Sequence, residues 1–241
     1  MTAPVPARRR LTRLAVPLLC LSAALAGCSS TAQEAAPDES TVLGAATAAE
    51  MPFNSEFSRD GTYQSHTKVD GIDFVFNIWA SKATPRMGEW YPKGDKYFSF
   101  TFQGYDTATP MRSAFARKRL VWLEKVQVTS TSTTASGRVE TPYTLDAWAP
   151  DVTFDPEART LGRKGMLITS PKGAFELRNQ VIKDLADDTE GVTLTFRATA
   201  HVQERRNSKN YRSHEITLQI PVAIFASGTP TVPQPVPFNA S

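Results

Sequence analysis

The chain has 241 residues, 41% of them hydrophobic, with 27 Lys and Arg against 24 Asp and Glu. Four of the basic residues (Arg8, Arg9, Arg10 and Arg13) fall within the first 27 positions, which hold no acidic residue. The remainder therefore carries 23 basic against 24 acidic side chains, a net charge of about −1. That balance excludes a strongly basic surface, so nucleic acid is not an expected partner.

The arginines precede an apolar run from Leu14 to Ala26, which falls short of the roughly 20 apolar residues that a membrane-spanning helix requires. A basic stretch before a short apolar run marks an export signal. The run ends in Leu25-Ala26-Gly27-Cys28, and these residues resemble the lipobox of bacterial lipoprotein precursors. The resemblance covers about the first 30 residues. It implies that Cys28 is diacylated and becomes the mature N-terminus, on the outer face of a membrane. The Arg- and Ala-rich leader resembles those of actinobacteria and their phages. In a phage, such a lipoprotein implies interference with a second infection. Cys20 lies inside the leader, so with Cys28 lipidated the domain has neither a free thiol nor a disulfide.

Residues 28–60, rich in Ala, Ser, Thr and acids, read as a tether with a reach of roughly 30 Å. Alternation then dominates. Ile72, Phe74, Phe76, Ile78 and Ala80 occupy even positions, as do Phe98, Phe100 and Phe102. The same holds for Val192 to Val202 and for Ile216 to Ile224. A period of two over such runs predicts strands with one face buried. Pro221 places the last of them at a sheet edge or a bulge. Weaker strand signals cover 62–68, 119–130, 138–148, 151–154, 165–169 and 174–178, and Asp70-Gly71 is one of several turn signals between strands. Short helices are expected from Thr109-Pro110 and over Asn179–Ala186. Residues 228–241 carry four prolines and favour an extended tail.

About ten strands at this spacing predict a single antiparallel β-sandwich over 61–227, of the immunoglobulin-like kind. A lipocalin-like closed barrel is the alternative, and it differs in being able to enclose a ligand.

Chemistry-bearing residues are scarce. His201 and His214 flank a hairpin turn but differ in parity, so they point to opposite faces and form no metal pair. No G-x-S-x-G is present, and with three histidines and no free cysteine a hydrolase triad has little to draw on. Asp146, Asp151, Asp155 and Glu157 cluster near Trp148, which leaves paired carboxylates for glycoside chemistry as one option. Asp184, Asp187, Asp188 and Glu190 form an acidic loop that does not match a calcium-binding pattern. Neither a catalytic residue, a metal nor a cofactor is expected.

The aromatics say more. Trp79 is odd-numbered in a strand whose core face is even, so it turns outward, and Trp90-Tyr91-Pro92 lies in a loop. Exposed aromatics mark binding patches, which makes Trp79, Trp90 and Tyr91 the candidate binding residues. The expected function is that of a non-catalytic binding module, anchored through Cys28, that meets an envelope protein or a glycan. A carrier of a hydrophobic envelope lipid, which needs an internal cavity, is the alternative. A carbohydrate-active enzyme comes third.

Overall fold

The computed structural model describes residues 53–82 and 86–234. Cys28, the leader, residues 28–52 of the expected tether and residues 235–241 lie outside the described residues.

Among the described residues, nine strands build two antiparallel sheets. In chain order they are β1 (Thr62–Val69), β2 (Ile72–Ala80), β3 (Lys96–Asp106), β4 (Val121–Thr134), β5 (Thr144–Trp148), β6 (Met166–Leu167), β7 (Phe175–Ile182), β8 (Thr189–Gln203) and β9 (Tyr211–Ala223). The first sheet has the order β1-β2-β3-β7, the second β5-β4-β8-β9, with β6 pairing β4 beyond β5. Neither sheet closes on itself, so the fold is a sandwich and not a barrel. It shares the two-layer architecture of immunoglobulin-like domains, but places three consecutive strands side by side in the first sheet.

Parity decides the faces. The even residues of β2 from Ile72 to Ile78, of β3 and of β8 from Val192 to Val202 are buried, and Phe76, Phe100 and Phe196 meet across the two sheets with ring centroids 4.7 Å (Phe76–Phe196) and 5.1 Å (Phe100–Phe196) apart. Burying each such ring contributes roughly 1.5–3 kcal/mol. The slot that remains between the sheets, lined by these rings, Phe74, Val126 and Leu218, holds only about 20 Å3 of free space. That is room for about one water molecule, so this slot offers no space for an acyl chain.

The β1–β2 hairpin turns at Asp70 and Gly71, both with positive φ (50° and 69°). This is the two-residue turn whose twist matches the flanking strands. Pro221 sits in β9, which borders only β8. An edge strand tolerates the missing N–H, as the sequence required.

Several expectations need correction. Residues 53–60 belong to the domain and not to the tether: α1 (Glu56–Asp60) is capped by Ser55 and buries Phe57 completely. Ser55 and Ser58 latch it to β9, donating from their hydroxyls to the Pro221 carbonyl at 2.5 and 3.5 Å, and Ala223 N–H donates to Ser58 Oγ at 2.9 Å. The tail is likewise docked as far as Thr231, which is buried and bridges Gly94. No α-helix follows Thr109-Pro110; the Asp106 carboxylate gathers Thr109 Oγ1 and Arg119 N–H, so the loop stays compact and ends in a 3-10 turn at Phe115–Arg117. Nor is 179–186 helical. β7 runs through to Ile182, and its bulge, with Asn179 at φ 54°, hides the alternation. The strand expected at 151–154 gives way to α2 (Ala149–Val152), with proline in its first turn.

Candidate functional site

The outer face of the first sheet carries the most organised group of exposed polar side chains. Because pairs are symmetrical about the Asp70-Gly71 turn, Gln64 of β1 stands opposite Asn77 of β2, which stands opposite Thr101 of β3, and that in turn opposite Glu176 of β7. These residues form one row across all four strands. Gln64 Nε2 donates to Asn77 Oδ1 at 2.7 Å, and Asn77 Nδ2 donates to Thr101 Oγ1 at 3.2 Å. Each amide is therefore held in one orientation by its neighbour.

Trp79 stands on the next rung of this face, between Thr62 and Ser99, and is half-buried. Its outward direction is the one that parity predicted. On the other side of the row lie His66, Val75 and Gln103. Tyr105 Oη donates to Gln103 Oε1 at 2.7 Å, and Gln103 Nε2 donates to the Gly173 carbonyl at 2.9 Å. Two contacts on the face join titratable side chains: His66 Nδ1 lies 3.0 Å from Asp73 Oδ2, and Arg178 Nε donates to Glu176 Oε1 at 2.5 Å. The same guanidinium stacks 3.5 Å from the centre of the Phe154 ring.

The row ends in a cleft of about 320 Å3, lined by Thr101, Gln103, Phe154, Asp155, Lys172 and Glu176 among others. Phe154 is more than half exposed. The loops that close this cleft come from residues 154–155 and 171–174, far in sequence from Gln64, Asn77 and Thr101. Outward parity could have shown the sequence reader Gln64, Asn77 and Thr101; nothing local pointed to Phe154 or Glu176.

The other two candidate aromatics do not join Trp79. Trp90 has no exposed surface, and its ring meets Phe57 edge-on at 5.6 Å. Helix α1, expected to be tether, is what covers it. Tyr91 is half-buried and its backbone is fully engaged. Its N–H donates to Thr231 Oγ1 at 2.9 Å and its carbonyl accepts from Lys96 Nζ at 3.0 Å. Lys96 is itself completely buried, donating also to the carbonyls of Pro92 (3.2 Å) and Gly94 (2.6 Å). Burial pushes its pKa down to about 8, against the pull of Asp184 and Asp95 towards the charged form. This loop is a structural lock. Gly94 is part of it, with φ at +84° and the Thr231 backbone so close that any side chain would collide.

The remaining titratable groups are paired locally, the largest set joining Asp70 and Asp106 to Arg119, Arg212 and His214. His201 lies on the outer face of the second sheet, with Nε2 2.6 Å from Glu124 Oε2, whereas His214 faces inward at the rim, 3.6 Å from Asp70 Oδ2. Asp146 is bound by Lys125 and Gln127, which hold its carboxyl below the usual range. In the acidic loop, Asp184 accepts from Gly94 N–H, Asp187 pairs with Lys93 at 3.0 Å, and Asp188 accepts from Ser136 N–H. Among the described residues no group of three or more His, Cys, Asp or Glu is placed to hold a metal ion. No protein-family profile matches this chain, and no curated protein matches its sequence.

Proposed function

We propose that the chain is a surface-anchored lipoprotein, held through a lipid on Cys28, whose sandwich is a non-catalytic binding module at the cell envelope. The lipobox residues Leu25-Ala26-Gly27-Cys28 support the anchor. The binding reading is carried by one observation: the slot between the sheets holds only about 20 Å3, while the outer face of the first sheet presents an oriented polar row beside Trp79. A sandwich with so little room between its sheets meets its ligand on the outside. Trp79 is thus the binding residue retained from the three aromatics; Trp90 serves the core, and the backbone of Tyr91 serves the lock around Lys96.

Binding of the purified protein to isolated envelopes of the producing cell tests this reading. Trp79→Ala is expected to abolish saturable retention while leaving the melting temperature within a few degrees. Full retention by a stably folded Trp79→Ala protein would reject this face as the binding surface.

A further inference from the structure

We infer that the outer face of the first sheet takes a neutral glycan, laid along the row Gln64–Asn77–Thr101 with one sugar ring in the cleft beside Phe154. This rests on the reading of that face as a binding surface and names the chemistry of its ligand.

Charge selects first. Charged groups of both signs are interspersed on this face: Lys68 stands across from Asp73, which also meets His66, Arg178 pairs with Glu176, and Lys172 lines the same cleft as Asp155. A phosphate or an acidic peptide would call for unpaired guanidinium or ammonium groups converging on one point. What the row offers instead is amide and hydroxyl, groups that donate and accept at once. Sugar hydroxyls do the same, and neighbouring hydroxyls on a ring suit a carboxamide that can give one hydrogen bond and take another.

Orientation comes second. Gln64 spends its amino group on Asn77 at 2.7 Å, and Asn77 spends both its carbonyl and, at 3.2 Å to Thr101, its amino group, so their remaining lone pairs and N–H groups point in fixed directions. Little side-chain freedom is left to lose when a ligand arrives. Trp79 lies two residues from Asn77 along β2, a rise of roughly 7 Å, and offers an aromatic surface for the C–H side of an adjoining ring. A protein partner would favour a cluster of apolar anchors around a desolvated pocket; here Trp79 and Val75 stand on either side of a row of amides and a hydroxyl. The cleft, at about 320 Å3, matches the lower end of small-ligand pockets, roughly 300 Å3.

The full chain in detergent micelles is titrated calorimetrically with neutral trisaccharides of glucose, mannose, galactose and N-acetylglucosamine, and with trigalacturonate as the anionic counterpart. At least one neutral trisaccharide is expected to bind saturably in the millimolar range or better. Asn77→Ala and Trp79→Ala should each weaken it about tenfold, the worth of one lost hydrogen bond or stacking contact. Thr217→Ala, on the outer face of the second sheet, should leave it unchanged. Gln64→Ala, at an exposed position, keeps the test decisive if Asn77→Ala unfolds.

Preference for trigalacturonate, neutral binding indifferent to Asn77 and Gln64, or no binding of any sugar each overturns the glycan. If no sugar binds but envelope retention still depends on Trp79, the binding module stands and its partner is a protein. If retention is also indifferent to Trp79, both readings fall.

Discussion

The indole of Trp90 meets the ring of Phe57 at 87°, with centroids 5.6 Å apart, and neither residue has any exposed surface. The contact joins the first described helix to the loop that precedes β3, two segments separated by β1 and β2. Trp90→Ala is therefore expected to cost about 3–5 kcal/mol, as for other buried large aromatics. Urea denaturation would show it. Phe57→Ala should cost a similar amount, and the double variant less than the sum of the two, because each loses the same partner.

Lipid attachment makes a separate prediction. Cys28→Ser should yield a released, soluble protein, whereas the wild type fractionates with membranes and incorporates a fatty-acid probe. The variant should melt like the wild type, since no disulfide is lost. Equal membrane association of the two proteins would remove the anchor from the reading.

Phe196 lies mid-strand in β8 and touches Phe76 and Phe100 of the opposite sheet. Phe196→Ala should cost about 3–5 kcal/mol. Leu218→Ala should cost less, because that side chain is half-buried beside the slot. Thr217→Ala, on the exposed face of β9, should change the denaturation midpoint little. The reverse order would mean that the faces of the second sheet are wrongly assigned.

Lys96 predicts an unusual dependence on pH. Its folded pKa is near 8, against an ordinary 10.5. Between about pH 8 and 10 the unfolded chain holds a proton that the folded protein has released, and stability rises with pH wherever the unfolded state binds more protons. The increase is at most about 1.4 kcal/mol per pH unit. Tyr143, whose pKa burial raises, keeps its proton in the folded protein while the unfolded chain begins to lose it near pH 10, so it opposes the effect only at the top of this window. Urea midpoints at the two ends of the window should therefore diverge in the wild type and converge in Lys96→Met, which is less stable throughout because three carbonyls lose their donor.

Much of the fold was legible because a buried face enforces a period of two. The even phenylalanines of β2 and β3, the even aliphatics of β8 and the edge position of Pro221 all follow from that constraint. Legibility failed where the period breaks: Asn179 at positive φ bulges β7 and disguises it. It failed again where distant segments meet. Trp90 sits in a loop by sequence, and only α1, expected to be tether, makes it core. For the site, the Asp70-Gly71 turn already implied that Gln64 faces Asn77. That Thr101 and Glu176 complete the row depends on how β3 and β7 come together, for which no local signal exists.

The near-absence of free space between the two sheets has a mechanical consequence. Unfolding under hydrostatic pressure is driven largely by the elimination of internal voids, and an interior packed this closely has little such volume to surrender. The sandwich should be stiff and barely compressible. The spacing of Gln64, Asn77 and Thr101 would then hold steady under pressures that distort a looser fold.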